Sequence, residues 1–134
     1  MANLLTVEGI GEDYRQKLID AGIRTTDDLL EKGSSPAGRS EIAEQTGVSP
    51  KLVLEWVNHV DLFRIKGVGE EYADLLEEAG VDTVPELAQR NPENLHATLL
   101  EVNAEKNLVR QPPGKSQVED WVNHAKDLPR VITY

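Results

Sequence analysis

The chain has 134 residues, the usual size of one domain and enough to bury a core without covalent or metal cross-links. It contains no cysteine, which excludes disulfides, thiolate catalysis and cysteine-based zinc or iron–sulfur sites. The net charge of −10 disfavours contact with a nucleic-acid backbone. The chain has no apolar run of 18 residues and no basic leader followed by an apolar run. We therefore expect a cytoplasmic protein with no membrane span.

A glycine turn opens the first informative stretch, Val7 to Thr25, which reads VEGIGEDYRQKLIDAGIRT. Gly9 can adopt a backbone conformation that other residues disfavour, Gly11 lets the chain pass directly into a helix, and Ile10 between them is expected to point into the core. Backbone N–H groups at the start of such a helix face outward and attract anions, phosphate included. The stretch lacks the third glycine and the preceding strand of a dinucleotide-binding fingerprint, and no Walker-type Gly-Lys-Ser/Thr follows it.

Helix signals continue through the first half of the chain. Thr25, with Asp28 three residues later, predicts a capping box, and Ser49 followed by Pro50 predicts an N-cap with proline in the first turn. Apolar residues then recur at the helical spacing of i, i+3, i+4 and i+7, which predicts one buried helix face. The residues of this face are Val53, Trp56, Val57 and Val60.

The segment EIAEQTGVSPKLVLEWV also resembles a helix-turn-helix, with Ala43 at the helix contact and Gly47 at the turn. A helix that reads bases needs Arg, Lys, Asn or Gln along its outer face. We interpret the segment as a packing geometry, because its outer face is a poor reader of bases. The outward-facing residues are Pro50, Lys51, Leu54, Glu55 and Asn58.

The second half of the chain repeats the first. Ile65 to Thr83 reads IKGVGEEYADLLEEAGVDT, and the quartet WVNH occurs at 56–59 and again at 121–124. The matching glycines Gly9 and Gly67 lie 58 residues apart, whereas the matching tryptophans lie 65 apart. The difference of seven residues indicates an insertion in the second copy, which we place between Leu87 and Trp121, around LVRQPPGK.

Helix signals are repeated as well. Thr83 with Glu86 predicts a second capping box, and Asn91 followed by Pro92 predicts another N-cap. The buried helix face recurs at Val118, Trp121, Val122 and Ala125. The stretch PRVITY that follows is either extended or helical.

No group of residues has the arrangement of a reactive site. His59, His96 and His124 are too scattered for a metal signature, and no nucleophile stands beside an activating base. In WVNH we expect the tryptophan to lie in the core and the Asn-His pair to lie at a helix end or an interface. We therefore predict no catalytic residue, no metal site and no cofactor, and a protein that is not an enzyme.

The order apolar-x-Gly-apolar-Gly, helix, Ala-Gly-apolar-x-Thr, helix resembles the helix-hairpin-helix motif. The longer pattern GR..IA..TGVS..L..WVN..DL.RIKGVG is similar to the bacterial and archaeal family of domains of unknown function numbered 4332, and the resemblance covers nearly the whole chain. It implies an all-α fold of the SAM/helix-hairpin-helix-like type. We expect a single globular domain over 1–134 made of two tandem helix-hairpin-helix-type units, 1–62 and 63–134, with about four helices each and no strand.

Many helix-hairpin-helix proteins bind DNA without sequence preference, through the turn amides and a basic residue just after the second glycine. This chain instead carries Glu12-Asp13 and Glu70-Glu71 at those positions. The second turn is the better candidate for phosphate, because two basic residues precede it. The candidate contacts are Arg64, Lys66, Gly67, Val68 and Gly69, with Gly9, Ile10, Gly11, Lys106, Arg110 and Lys115 as secondary candidates.

Two functions remain open on the sequence. The favoured one is a non-enzymatic binding or adaptor module whose partner is a protein, since the surface is acidic and carboxylates flank both turns. The alternative is weak, sequence-independent nucleic-acid binding through the Gly-apolar-Gly turns, which the net charge disfavours. We expect no membrane partner, and a monomer or a homodimer.

Overall fold

The computed structural model describes residues 3–134, and the regular elements within that range are helical. The prediction of an all-α fold is confirmed, with one isolated β-bridge between Asn3 and Thr25 as the sole extended pairing in the described range. A 3₁₀ turn at Leu4–Thr6 precedes eight α-helices. These are α1 (Glu12–Asp20), α2 (Thr26–Lys32), α3 (Pro36–Thr46), α4 (Pro50–Leu62), α5 (Glu70–Glu78), α6 (Val84–Ala88), α7 (Pro92–Lys106) and α8 (Lys115–Asp127).

The contacts divide the chain into two compact units. The first unit is Met1–Asp61 together with Val131–Tyr134, and the second unit is Leu62–Arg130. Residues 1 and 2 of the predicted first repeat lie outside the described residues. The stretch PRVITY, for which the sequence left two conformations open, contains no helix, and its last four residues belong with the first unit.

Helix α2 begins with the predicted capping box. The Thr25 hydroxyl accepts a hydrogen bond from the Asp28 N–H at 3.2 Å, and the Asp28 carboxylate accepts from the Thr25 N–H at 3.3 Å. The same carboxylate accepts from the Arg24 N–H at 3.1 Å, and this bond is the largest of the effects that hold the pKa of Asp28 below its usual value. The predicted cap at Ser49 is also present, since its hydroxyl accepts from the Leu52 N–H at 3.2 Å.

The predicted second capping box is wrong. The Thr83 side chain accepts no hydrogen bond from the start of α6. Its hydroxyl donates instead to the Glu86 carboxylate at 3.5 Å, and the other oxygen of that carboxylate accepts from the Asp82 N–H at 3.2 Å. Pro85 in the first turn of α6 has no N–H to be satisfied, so this helix start has one fewer free donor than that of α2.

The predicted helix faces are buried, and both tryptophans lie in the interior at 1% exposure. This agrees with the expected core role of the tryptophan in WVNH. The second unit has a continuous core of its own residues, in which α8 packs against α6 and α7, and α7 packs against α5. The larger members of this core are Leu62, Ile65, Leu75, Leu76, Leu87, Leu95, Leu99, Trp121 and Val122.

The extra residues of the second copy lie mostly where the sequence placed them. Helix α7 has 15 residues and α3 has 11, and the connection to the next helix has eight residues (107–114) in place of three (47–49). Helix α6 has five residues against seven in α2, which brings the net difference to the seven inferred from the sequence. The insertion is therefore divided between a longer helix and a longer connection.

The connection 107–114 is held along α7 by polar side chains. The Asn103 amide binds both backbone groups of Val109, accepting from its N–H at 2.9 Å and donating to its carbonyl at 3.1 Å. His96 Nε2 lies 3.1 Å from the Pro113 carbonyl oxygen, and the Tyr72 hydroxyl donates to the Gln111 carbonyl at 3.1 Å. The connection thus runs back from the end of α7 toward its first half. Among the described residues, no helix is long and apolar enough to cross a membrane.

Candidate functional site

Each unit contains one Gly-apolar-Gly turn, and the two turns have the same backbone geometry. We call Gly9–Gly11 the first turn and Gly67–Gly69 the second turn. The leading glycine of each turn has φ of +90°, in the region that favours glycine. The central residues Ile10 and Val68 are buried at 5% exposure, as the sequence predicted. The last glycine of each turn is extended and caps the helix that follows.

The repeated WVNH quartet supplies the support under each turn. A Cβ atom at Gly9 would lie 3.4 Å from Trp56 Nε1, and a Cβ atom at Gly67 would lie 3.3 Å from Trp121 Nε1. Each indole therefore packs directly beneath the leading glycine of the turn in its own unit. The positive φ is what favours glycine at both positions, and the indole edge makes the space at Gly67 slightly tight as well.

A tyrosine completes each support. The Tyr14 ring lies 5.1 Å from the Trp56 ring at an interplanar angle of 60°, and the Tyr72 ring lies 5.1 Å from the Trp121 ring at 57°. Sequence reasoning did not single out these tyrosines. The signal was present, because each stands five residues after the leading glycine in both copies of the repeat.

The histidine of the second WVNH holds the backbone of the second turn. His124 Nδ1 accepts a hydrogen bond from the Lys66 N–H at 3.1 Å, which bonds the ring to the backbone just before Gly67. His124 is partly exposed, whereas its counterpart His59 is buried at 3% exposure. The Asn-His pair was predicted at a helix end or an interface, and His124 lies near the end of α8 with its ring bonded to the turn.

Carboxylates surround the start of the helix after each turn. Glu12 and Asp13 begin α1, Glu70 and Glu71 begin α5, and all four residues are exposed. Carboxylates at this position interact favourably with the helix dipole. They also repel an incoming anion, so these helix starts are less favourable for a phosphate than helix starts without carboxylates.

The structure gives two of the predicted basic contacts partners within the chain. Arg64 donates from Nη2 to the Pro129 carbonyl at 2.7 Å. Lys106 Nζ lies 2.6 Å from the Glu78 carboxylate, and this hydrogen bond raises the pKa of Lys106. Arg64 therefore fixes the path of the chain after α8, and Lys106 links α7 to α5.

The remaining basic candidates are dispersed. Lys66 is exposed beside the second turn, and Arg110 is exposed on the connection between α7 and α8. Lys115 begins α8 and lies in a groove with Glu93 and Glu119, near the start of α7. Lys106 lies at the other end of α7, which is about 20 Å long by the rise of an α-helix. The basic run 106–115 is thus spread along α7 and does not form one patch.

A groove of about 410 Å³ opens beside the second turn, and its walls carry both signs of charge. It is lined by Lys66, Gly67, Gln117, Asp120, Trp121 and His124. A groove of about 480 Å³ beside the first turn is more acidic. Its lining comprises Gly9, Gly11, Glu12, Asp13, Tyr14 and Lys17. Within residues 3–134, no group of three or more His, Asp or Glu side chains is placed to hold a metal ion.

A family model described as "Domain of unknown function (DUF4332)" matches residues 8–128. The chain belongs to the DUF4332 family. The family predicted from the glycine turns and the WVNH segment is therefore confirmed. The match covers both turns of this DUF4332 chain, both WVNH quartets and all eight α-helices. No solved structure matches the chain.

The leading glycine of each turn in this DUF4332 chain should be far less replaceable than the last. Gly67→Ala forces alanine to adopt a positive φ and brings its Cβ close to Trp121. We expect the free energy of unfolding to fall by about 1–2 kcal/mol. Gly69→Ala meets no atom within 4 Å and has negative φ, so it should cost only about 0.5 kcal/mol through the weaker cap. Urea denaturation of the two variants measures the difference, and equal losses would show that the turn geometry is not the constraint.

Proposed function

We propose that this chain is a non-enzymatic binding module built from two helix-hairpin-helix-type units, and that its partner is a protein. The observation that carries the proposal is the exposed carboxylate pair at the helix start after each turn, Glu12-Asp13 and Glu70-Glu71. The cytoplasmic location expected from the sequence is part of the same proposal.

The acidic pairs favour a protein partner over a phosphate. A helix start without carboxylates attracts anions through its free N–H groups. Here two carboxylates already satisfy the helix dipole and repel a second anion. A partner protein can bring Lys or Arg side chains to the carboxylates, and such complementary charges raise both the association rate and the specificity of a complex. The presence of an acidic pair at the matching place in both units gives the module two similar contact points.

Sequence-independent nucleic-acid binding is the second candidate, and Lys66 is the observation that favours it. This exposed lysine stands next to Gly67 at the groove beside the second turn. Asp120 lines the same groove and opposes an anionic ligand. Any nucleic-acid binding at this turn should therefore be weak, and it should depend on Lys66, because the Arg64 guanidinium is bonded to the Pro129 carbonyl.

Variants in which carboxylates are replaced by the corresponding amides distinguish the two candidate functions. A turn variant carries Glu12→Gln, Asp13→Asn, Glu70→Gln and Glu71→Gln. A control variant carries the same change in net charge at exposed residues away from the turns, with Glu101→Gln, Glu105→Gln, Glu119→Gln and Asp127→Asn. Affinity capture with chemical crosslinking should recover the same partner with the wild type and the control, and should lose it with the turn variant. Absence of any captured protein, together with no self-association on size-exclusion chromatography, would contradict the proposal.

Fluorescence anisotropy with labelled single- and double-stranded DNA tests the second candidate. A phosphate-dependent complex weakens steeply between about 50 mM and about 200 mM salt. Under the protein-partner proposal, the titrations stay flat even at low salt. Saturable, salt-sensitive binding that is lost on Lys66→Gln would establish nucleic-acid binding instead. The turn variant should then bind more tightly than the wild type.

A further inference from the structure

The segment Val131–Tyr134 is held on the first unit as an extended peptide. Its Thr133 N–H donates to the Ser34 carbonyl at 2.7 Å, and its Thr133 carbonyl accepts from Arg39 Nη2, also at 2.7 Å. Ile132 is buried at 2% exposure, whereas Thr133 is exposed, although its hydroxyl also donates to the Ser34 carbonyl at 3.3 Å. We call this segment the docked segment. Both of its central backbone groups are bound by residues more than 90 positions earlier in the chain.

Arg39 is the central residue of the surface that receives the docked segment. It lies in α3 at 6% exposure, and its Nη1 donates to the Gly33 carbonyl at 2.9 Å. The Tyr134 ring lies over its guanidinium at 5.8 Å, and the Tyr134 hydroxyl donates to Asn58 Oδ1 at 3.4 Å. A buried guanidinium is costly unless its donors are used. Here the docked segment supplies a carbonyl and an aromatic face to it.

The second unit has no equivalent of this arrangement. Arg39 stands three residues after the first proline of α3, and the residue three positions after the first proline of α7 is Leu95. Leu95 is fully buried in the core of the second unit. The same place in the repeat is therefore filled by an apolar side chain in one copy and by a peptide-binding arginine in the other. This difference is a property of the first unit and does not follow from the repeated architecture.

We propose that Ser34, Arg39 and Asn58 form an acceptor site for an extended segment of a partner protein, and that the docked segment occupies this site as an intramolecular competitor. The site recognises backbone through Ser34 and Arg39, so the partner segment must be extended at its centre. It takes a buried apolar side chain in the place of Ile132. An aromatic ring in the place of Tyr134, which is 62% exposed, adds a surface contact over the Arg39 guanidinium. The recognised pattern is an apolar residue, then threonine or serine, then an aromatic residue, because the Thr133 hydroxyl also donates to the Ser34 carbonyl. This inference rests on the proposed function and specifies the chemistry of one partner.

A peptide titration tests the acceptor site in the full chain. Thr133→Pro removes both the N–H and the hydroxyl that donate to the Ser34 carbonyl, and it should release the docked segment without changing the acceptor. A fluorescent peptide of sequence PRVITY should bind this variant at least about tenfold more tightly than the wild type, in which the tethered segment competes at an effective concentration of order millimolar. Ile132→Asp is a second releasing variant, which should give the same gain. A control peptide with Asp in place of Ile and Ser in place of Tyr should not bind.

A second substitution locates the binding. Adding Arg39→Leu to Thr133→Pro should reduce peptide affinity by at least about tenfold, and leucine should be tolerated there because Leu95 fills the equivalent place in the second unit. Amide chemical shifts of Ser34 and Arg39 in Thr133→Pro should move on adding peptide, which checks the location without the arginine variant.

Three results would overturn the inference. The first is that neither Thr133→Pro nor Ile132→Asp increases the affinity for the peptide. The second is that the increased affinity persists when Arg39→Leu is added, and that the amide chemical shifts of Ser34 and Arg39 do not change on adding peptide. A wild-type dimer that dissociates on Thr133→Pro would show that the occupant is a second copy of the chain and not a separate partner. None of these results depends on the carboxylates at the turns, so failure here is distinguishable from failure of the proposed function.

Discussion

Gly38→Ala is expected to lower the stability of the protein by about 2 kcal/mol, although alanine is the better helix former by about 1 kcal/mol. A Cβ at Gly38, in α3, would lie 1.9 Å from the carbonyl oxygen of Lys32 at the end of α2. This is a backbone atom that no side-chain rotation can move away, so the helices must separate. Overpacking of this kind costs about 1–3 kcal/mol or more, and the steric cost therefore exceeds the gain in helix propensity.

Thermal unfolding followed by circular dichroism measures this effect. A loss of about 2 kcal/mol corresponds to a fall of roughly 8 °C in Tm for a chain of this size. Gly114→Ala is the matched control, because a Cβ there meets no atom within 4 Å, and the weaker cap should change Tm by only a few degrees. A rise in Tm for Gly38→Ala would mean that α2 and α3 do not approach as closely as the structure has them.

Asn103→Leu is expected to cost about 3 kcal/mol, because one side chain satisfies two buried backbone groups. Asn103 is 8% exposed and binds both the N–H and the carbonyl of Val109, which is itself 4% exposed. Leucine has a similar size but leaves both groups without a partner, and an unsatisfied buried group costs about 1–3 kcal/mol. The change should release the connection 107–114 from α7.

Amide hydrogen exchange detects this release directly. Protection of the Val109 N–H should be lost in Asn103→Leu, and Tm should fall by roughly 12 °C. Asn123→Leu is the control, since Asn123 is exposed on α8 and its replacement should change stability by less than about 0.5 kcal/mol. Retained protection of Val109 would show that His96 and Tyr72 hold the connection without Asn103.

The predictions that succeeded rest on local rules. The capping box at Thr25 needs only a hydroxyl and a carboxylate three residues apart, and the positive φ of Gly9 and Gly67 follows from the one residue type that adopts it freely. At Thr83 the same spacing gives a different bond, in which the hydroxyl donates to the Glu86 side chain and accepts nothing from the helix start. A local sequence pattern indicates which hydrogen bonds can form at a helix start. The relative geometry of the groups determines which of them does form.

The candidate site likewise combines features that the sequence predicted with contacts that it did not. The sequence shows that each copy contains one Gly-apolar-Gly turn and one WVNH quartet. The turn and the quartet of a copy are more than 40 residues apart, so the sequence does not reveal that they are in contact. Trp121 beneath Gly67 and His124 bonded to Lys66 are consequences of how α8 packs in the second unit. The predicted basic patch depended on proximity in sequence, and the path of the connection along α7 separates Lys106 from Lys115.

By itself the sequence determined that this chain is helical, where its glycine turns and helix starts lie, that it is duplicated with a seven-residue insertion, and to which family it belongs. These properties depend on residue type and on spacing within a few turns of helix. Only the tertiary structure decided the partners of Arg64 and Lys106 and the docking of residues 131–134 on Arg39. A charged side chain at the surface can pair with many groups at similar free energy, so its partner is set by the chain path that packing of the core imposes.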